Sequence, residues 1–464
     1  MPADQAPTRH PRRGGVGTLH PGERLTVRFA EVGLDGTAMV RLGAVRLSVP
    51  FGVPGEDAVV EVVRGGRRAQ GRLVALLRKS ADVVQARCPH FGRCGGCQWQ
   101  HLLPEAQRRF KTRLVGEYLK EHAGVRRELV RQTVGGEAWA YRNVLRAVFG
   151  ERDSVAVVGF HAGGTQRVLD IAECPVQHPA NEAILRAARG AARTLGLPVY
   201  DRQSGRGLLR GVLGLVSFAT GQALMTWSTA APLPDPTAVV HAVLDRVPGL
   251  VGILNTVQSR PTLDLLGSRL RLLWGRDSIE EEIAGFRLKL RPGVSLPANP
   301  RGMAVLVDAV RGAAGPKSDE VVIDLTAATP LFALALAASA EAAFGVSPGR
   351  REAIDAREAA AHNGVTNVAF YARDPRAVLE RLTARKRPSV ALLDAEGPGL
   401  EAAVVTAVAA AGIPRVVYTA RSLATCAGDI GQWVRAGYAV QTVQPVDLLP
   451  QTSHVHLVVA LRRV

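Results

Sequence analysis

Four of the five cysteines have a spacing typical of metal ligands. Cys88, Cys94 and Cys97 form a C-x5-C-x2-C cluster in which two glycines let the backbone fold tightly between the last pair, and Cys174 lies further along in "DIAECPVQ". Four thiolates supply tetrahedral sulfur ligation that suits either zinc or an iron–sulfur cluster. The spacing alone does not choose between these metals. The alternative is that the cysteines are small buried residues or incidental thiols.

The fifth cysteine raises the question of a catalytic thiol. Cys426 lies in "VVYTARSLATCAGD", where an apolar run typical of a β-strand leads into a turn. A thiolate there could attack an electrophilic carbon. A free cysteine more often behaves as a small hydrophobic residue, so the sequence predicts a core thiol at Cys426.

Charge and composition indicate the partner of this chemistry. The chain has 464 residues, 47% of them hydrophobic, which is enough for two or three domains with their own cores. The formal net charge is +17, and residues 1–150 alone carry 25 Lys and Arg against 13 Asp and Glu, a net +12. This field favours a nucleic acid, although a base-composition bias is the alternative explanation. The sequence has no run of twenty apolar residues and no signal peptide, so we expect a cytoplasmic protein.

The elements that would position the N-terminal charge are short strands. Between Leu25 and Leu77, apolar and polar residues alternate in runs broken by glycine, which predicts a five-stranded OB-like barrel. Such barrels bind nucleic acid through strand faces and loops. A predicted hairpin carries four candidate RNA-binding arginines, and the alternative is a solvated turn: Arg64, Arg67, Arg68 and Arg72.

The pattern of apolar residues changes twice in the rest of the chain. The cysteine segment leads into an amphipathic helix predicted from Pro104 to Glu121, and residues 141–283 mix strands and helices. In the last 180 residues, short apolar runs alternate with Ala-rich helical segments, which predicts a doubly wound α/β domain. Ligands bind such sheets beyond the carboxyl ends of the strands. We therefore expect Asp324, Asp394 and the turn after Tyr418 to line one crevice.

The cysteine segment "CPHFGRCGGCQWQHLLPEAQRRFK" resembles that of the RNA uracil-C5 methyltransferases, bacterial enzymes that make 5-methyluridine in ribosomal or transfer RNA. Further similarity lies in "YRN" at Tyr141, "GFHAGGTQRVLDIAECPV", "EAIDAREAAAHNGVTNVAFYARD" and "GYAVQTVQPVDLLPQTSHVH". The resemblance implies a multidomain fold in this order: a disordered basic tail (1–20), an OB-like TRAM β-barrel (21–80), a central iron–sulfur domain (81–285) and a Rossmann-like S-adenosylmethionine domain (286–464).

The resemblance also implies a cofactor and a partner. In that family four cysteines ligate a four-iron four-sulfur cluster that serves structure and RNA binding, and the matching residues here are Cys88, Cys94, Cys97 and Cys174. We add Arg142 of the "YRN" segment to the four barrel arginines as a predicted RNA-binding residue. The expected protein is a monomer that binds structured RNA.

The family's catalytic residues are replaced in this sequence. Its nucleophilic cysteine follows the last strand in a pattern V-S-C-x-P-x-T-L-A-R-D, which places Arg421 at the nucleophile position. A guanidinium stays protonated and has no lone pair to offer carbon. Cys426 falls five residues later, roughly 7 Å along a helix. The family's base, in H-V-E, corresponds to His456, which could in principle accept a proton.

The methyl-donor positions are changed as well. The family's D-L-Y-C-G-x-G corresponds to Asp324–Pro330, with Ala328 and Pro330 in place of glycines, and Ser347 replaces the acid that holds ribose hydroxyls. The pattern D-P-P-R is reduced to "DAEG", which keeps Asp394, and F-x-Q-x-N is "SLPAN". In that last segment Pro297 replaces the glutamine, and Asn299 is retained. Asp324, Asp394 and Asn299 are thus predicted remnants of a donor site whose binding of S-adenosylmethionine is in doubt.

These departures lead to the interpretation of an RNA-binding pseudoenzyme on an RNA methyltransferase scaffold, with no catalytic residue expected. Two other hypotheses stay open from the sequence. The first is an active S-adenosylmethionine-dependent RNA methyltransferase with an altered mechanism or target, in which His456 acts as the base. The second is a zinc-stabilised assembly factor whose basic face meets a protein.

Overall fold

The computed structural model describes residues 18–293, 296, 298–395, 397 and 399–464. Most of the predicted basic tail, residues 1–17, and Pro297 lie outside the described residues. No helix in the described ranges is long and apolar enough to cross a membrane.

The N-terminal strands form a small barrel. Apolar side chains at every second position face its core, as the alternating sequence predicts. The strands are β1 (Arg24–Arg28), β2 (Glu31–Val32), β3 (Ala38–Leu42), β4 (Val45–Val49), β5 (Asp57–Arg64) and β6 (Arg68–Arg78). Only two residues separate β1 from β2, and β1 pairs with β5 while β2 pairs with β3. The two are therefore parts of one bent strand that closes a five-stranded barrel, the arrangement of an OB-like fold.

A long helix follows the cysteine segment. Helix α1 (Pro104–Ala123) begins with a proline, whose missing N–H costs nothing at a helix start, and ends at Gly124 with φ of 66°. The predicted helix is confirmed and continues two residues beyond the expected end. A two-residue strand, β7 (Val134–Gly135), comes next.

A central sheet carries two helices, α2 (Pro179–Thr194) and α3 (Pro236–Val243). Its order is β10-β9-β8-β11-β12-β13-β14. The strands are β8 (Val144–Arg152), β9 (Val155–His161), β10 (Val168–Asp170), β11 (Leu209–Val216), β12 (Ala223–Thr229), β13 (Leu250–Val257) and β14 (Leu270–Gly275). A separate hairpin is formed by β15 (Ile279–Ile283) and β16 (Phe286–Leu290), and the predicted start of the last domain, residue 286, is the first residue of β16.

The C-terminal part alternates strands and helices, which confirms the predicted α/β organisation. Its helices are α4 (Pro300–Ala314), α5 (Leu331–Ala337), α6 (Arg350–His362), α7 (Pro375–Thr383), α8 (Ala402–Ala410) and α9 (Leu423–Arg435). Its strands are β17 (Val321–Asp324), β18 (Ala342–Val346), β19 (Val368–Tyr371), β20 (Val390–Ala395), β21 (Arg415–Ala420), β22 (Tyr438–Asp447) and β23 (His456–Arg463). In the order β19-β18-β17-β20-β21-β23-β22-β7, the first five strands are parallel and β23 is antiparallel to its neighbours.

The segment before the central sheet packs against the C-terminal sheet. Helix α1 contacts α9, and β7 adds to the edge of the sheet beside β22. On the buried face of α1, Lys111 Nζ donates to Asp447 Oδ1 at 2.5 Å, with side-chain exposures of 0% and 4%. This ion pair links helix α1 to the C-terminal sheet.

Candidate functional site

Four polar side chains meet at the carboxyl edge of the C-terminal sheet. Asp324 ends β17, Asp394 lies near the end of β20 and Arg421 directly follows β21. Because β23 runs antiparallel to β21, His456 at its start lies at the same edge. The geometry therefore brings together the two predicted donor-site acids and the two positions predicted to correspond to the family's nucleophile and base.

Asp324 is fully buried and Asp394 is half-buried, and burial affects the charge of both carboxyl groups. Burial raises the pKa of Asp324 to about 8, opposed by a hydrogen bond from the Thr326 amide and helped by the nearby charge of Asp394. Burial also raises the pKa of Asp394, while a 2.5 Å hydrogen bond from Thr419 Oγ1 and the positive charge of Arg421 lower it. Asp324 is consequently mostly protonated at neutral pH.

Arg421 and His456 do not form a nucleophile–base pair. Burial lowers the pKa of His456 to about 3, and the positive charges of Arg421, Lys111 and His454 lower it further. Neither ring nitrogen of His456 has a hydrogen-bond partner among the described residues. An imidazole with so low a pKa is a weak proton acceptor at neutral pH. The positive charge at position 421 thus also reduces the basicity of the residue that replaces the family's base.

The loop after β17 uses most of its amide groups in hydrogen bonds within the protein. Five N–H groups between Leu325 and Leu331 donate to oxygens of the loop itself or of the neighbouring strands, those of Leu325, Thr326, Ala327, Ala328 and Leu331. Pro330 has no N–H to offer. In loops that bind nucleotides or phosphates, such amide groups point at the ligand, so this loop lacks most of the usual donors.

The other two predicted donor-site positions differ in their surroundings. Ser347 lies just beyond β18, and its buried Oγ has no partner in the described part of the chain. Asn299 caps α4: its Oδ1 accepts from the Gly302 amide at 2.8 Å, and its Nδ2 donates to the Leu448 carbonyl at 2.9 Å. Asn299 therefore has a structural role that occupies both ends of its amide.

Cys426 lies in the first turn of α9 and is completely buried. It packs in the apolar core with Tyr418 and Ile430, and burial raises the pKa of its thiol far above the usual range. The prediction of a core thiol is confirmed. A thiol that is neither exposed nor ionised cannot reach or attack a substrate.

The four other cysteines line one cavity of about 550 Å³. Cys88, Cys94 and Cys97 approach it from the segment before α1, and Cys174 approaches from the loop after β10. The segments are joined by backbone hydrogen bonds, such as Gly95 N to the His161 carbonyl at 3.1 Å. All four thiols are free, and burial raises the pKa of Cys97 to about 11.

The arrangement of these thiols bears on the choice of metal. Within the described ranges, no group of three or more His, Cys, Asp or Glu side chains is placed to hold a metal ion. A single zinc ion needs four sulfurs within about 2.3 Å of one centre.

The predicted RNA-binding arginines fall into two places. Arg64, Arg67, Arg68 and Arg72 are exposed on the β5–β6 hairpin, as predicted. Arg72 donates to Glu61 Oε1 at 2.8 Å, whereas the other three form no ion pair with any described residue. Arg142 lies elsewhere: it is half-buried, lines the cysteine cavity and donates to the Val144 carbonyl.

Comparison with known proteins identifies the chain. An uncharacterized RNA methyltransferase of Halalkalibacterium halodurans is 30% identical over 447 residues, covering 96% of this chain and 98% of the relative. Another from Gloeobacter violaceus is 31% identical over 454 residues, with coverage of 96% and 98%. This chain belongs to the RNA methyltransferase family. No family model matches the sequence.

The RNA methyltransferase fold extends over nearly the whole molecule. The structure of the Pyrococcus abyssi tRNA (uracil-54, C5)-methyltransferase, in complex with S-adenosyl-L-homocysteine, superimposes with a TM-score of 0.73 at 21% identity. The match covers 94% of this chain and 99% of that protein. At this identity the likeness is one of fold, so the resemblance seen in the sequence is confirmed at the level of family and architecture.

Sequence reasoning missed two features of this RNA methyltransferase scaffold. The buried pair of Lys111 and Asp447 joins residues 336 positions apart and leaves no local signal. A cleft lined by arginines lies between α6 and α7. A signal was present there, because Arg350 and Arg357 are seven residues apart and share one helix face.

Proposed function

We propose that this protein binds RNA on a methyltransferase scaffold and does not methylate uracil C5. The observation that carries the proposal is Arg421, which takes the nucleophile position and lies beside Asp394 and His456. A fixed positive charge there supplies no electron pair for attack on carbon. The protein would act in the cytoplasm as a monomer that recognises structured RNA.

We further infer that the donor position no longer binds S-adenosylmethionine. Most amide groups of the loop from Leu325 to Leu331 donate to protein oxygens and are not available to a ligand. Ser347 occupies the position where an acidic side chain would hold the ribose hydroxyls. Asn299 is fully engaged as a helix cap. These residues do not fit the methyl donor, so no transfer step is assigned to them.

We also propose that the four cysteines around the cavity hold a four-iron four-sulfur cluster. The site fits such a group because Cys88, Cys94, Cys97 and Cys174 surround one cavity and none is oxidised to a disulfide. A bound cluster would tie the segment before α1 to the loop after β10, and metal ligation of this kind contributes to folding. Its role here is to hold the RNA-binding parts in a fixed arrangement.

Protein purified without oxygen should be brown and contain about four irons and four sulfides per chain. Cys97→Ser should deplete the iron because it removes one ligand of the cavity. Cys426→Ser is the matched control and should leave the iron content unchanged, since this thiol is buried in a different core. Metal analysis and absorbance spectra measure both, and stoichiometric zinc in the wild-type protein would contradict the cluster.

RNA affinity should depend strongly on salt. The logarithm of affinity should fall against the logarithm of salt concentration by about 0.7 to 0.9 per phosphate contact. Arg67→Ala/Arg68→Ala should reduce this slope by about 1.4 to 1.8, because it removes two exposed cations. Arg72→Ala should have a smaller effect on affinity, since Glu61 already neutralises much of its charge.

Filter binding to structured transfer and ribosomal RNA across a salt series measures these slopes. A flat slope for the wild-type protein would remove RNA as the partner. A salt slope in the double variant that equals the wild-type slope would show that the hairpin does not contact phosphates.

A further inference from the structure

A second basic surface lies far from the barrel. Between α6 and α7, beside β19, the protein has a cleft of about 550 Å³. None of the described residues that line it is acidic, and five are arginines: Arg350, Arg357, Arg373, Arg381 and Arg385. Such a concentration of one charge in a concave site attracts anions strongly.

The arginines face the cleft from two sides. Arg350 and Arg357 are two turns apart on α6, roughly 10 Å along its axis. Arg381 lies on α7 and Arg385 just beyond its end. Arg357 also donates to the Phe370 carbonyl, which fixes its guanidinium near the end of β19. This spacing matches a ligand with two or three anionic groups in a row rather than a single ion.

Two aspartates beside the cleft are paired with arginines that do not line it. Asp355 pairs with Arg291 and Arg351, and Asp374 pairs with Arg376. None of these three arginines lines the cleft. The acids are therefore satisfied elsewhere, and the cleft keeps its positive charge.

The cleft also has an apolar side. Ile354 is 47% exposed although it is a large aliphatic residue on α6, and Val378 and Leu382 line the opposite wall. Tyr371 adds an aromatic ring at the end of β19. A flat apolar group packs against such a surface while its phosphates meet the arginines, and planar guanidinium groups bind phosphate bidentately.

The cleft lies at the β19 edge of the sheet, beyond the donor-site positions. Strand β17, which ends at Asp324, is two strand spacings from β19, roughly 10 Å, and the Ser347 amide donates to the carbonyl of Tyr371 in the cleft wall. Asp324, Asp394, Arg421 and Ser347 are not among the lining residues. The volume falls in the range of small-molecule sites.

We propose that this cleft binds a base together with two or more phosphates, supplied either by a free nucleoside polyphosphate or by successive nucleotides of an RNA strand. The phosphates lie between the arginines of α6 and those at the end of α7. The base packs against Ile354, Val378 and Tyr371. This inference stands apart from the barrel and from the lost methyl transfer.

Isothermal titration calorimetry of the full chain with ATP, GTP and UTP tests the proposal, with inorganic pyrophosphate as the probe for charge alone. Arg381→Ala/Arg385→Ala should weaken nucleotide binding at least tenfold. The matched control is Arg387→Ala/Arg435→Ala, which removes two exposed arginines of the same sheet domain outside the cleft and should change affinity less than twofold.

A uridine decamer distinguishes the two sources of the nucleotide, measured in the Arg67→Ala/Arg68→Ala background so that the barrel contributes little. Free triphosphates that bind in the cleft assign it to a small molecule. Decamer binding alone, lost in Arg381→Ala/Arg385→Ala, assigns it to RNA. Pyrophosphate binding as tight as nucleotide binding, or cleft and control variants that behave alike, would overturn the proposal.

Discussion

Wild-type protein incubated with unmodified RNA and S-adenosylmethionine should form no 5-methyluridine above background, and Arg421→Cys should not restore the product. Without a thiolate there is no attack on C6 and no activation of C5, and loss of a nucleophile typically costs many orders of magnitude in rate. The single substitution supplies the thiol but leaves every other deficit in place.

Those deficits act on the same transition state. After Arg421→Cys, the donor loop would still carry Ala328 and Pro330, and Ser347 would still stand at the ribose position. Removal of the Arg421 charge should raise the pKa of His456, but burial would continue to depress it. Groups that act as a unit are strongly non-additive, so repair of one recovers little.

Mass spectrometry of nucleosides from the treated RNA is the measurement, together with a calorimetric titration of S-adenosylmethionine. Cys426→Ser is the matched control. This substitution should lower product formation if Cys426 is a relocated nucleophile, and it should leave product formation unchanged if Cys426 is a core thiol. Donor-dependent 5-methyluridine from the wild-type protein would overturn the pseudoenzyme proposal. Product from Arg421→Cys alone would show instead that the donor site is intact.

Lys111→Ala should lower the free energy of unfolding by about 3–5 kcal/mol. The substitution leaves the Asp447 carboxylate buried without its cation, and it also removes a donor to the Leu449 carbonyl. Lys111→Met/Asp447→Leu should recover most of this loss, because a buried pair replaced by apolar side chains leaves no uncompensated charge.

An exposed pair between Arg109 of the same helix and Asp82, which precedes the helix, provides the control. Arg109 Nη2 and Asp82 Oδ1 are 2.6 Å apart, with side-chain exposures of 59% and 26%. Arg109→Ala should cost only about 0–1 kcal/mol because water screens such pairs. Urea unfolding followed by tryptophan fluorescence compares the variants. An equal decrease in the free energy of unfolding for Lys111→Ala and Arg109→Ala would show that burial does not make the loss of the cation more costly.

The parts of this structure that follow local patterns could be predicted from the sequence. Alternation between Leu25 and Leu77 predicted the barrel, and the proline and glycine around α1 marked a helix close to its true ends. The burial of Cys426 also followed from its position beyond an apolar strand. In each case the deciding interactions lie within a few residues.

Features that depend on distant partners could not be predicted. Strand β7 has only two residues, and its pairing with β22 is set by tertiary packing. Asn299 matched a donor-site pattern, but its side chain accepts a hydrogen bond from an amide group at the start of α4 and caps that helix. The cysteines were found by spacing, whereas the cavity between them required Cys174 to be brought close by the central sheet.

The packing of α1 against the C-terminal sheet has a consequence for synthesis on the ribosome. Lys111 emerges 336 residues before Asp447, an interval of roughly 17 to 67 s at about 5–20 residues per second. Until α9 is synthesised near the end of that interval, the apolar face of α1, with Val115 and Leu119, has no α9 to cover it. The nascent chain therefore exposes the apolar face of α1 for most of its translation, which makes this helix a natural target for chaperones.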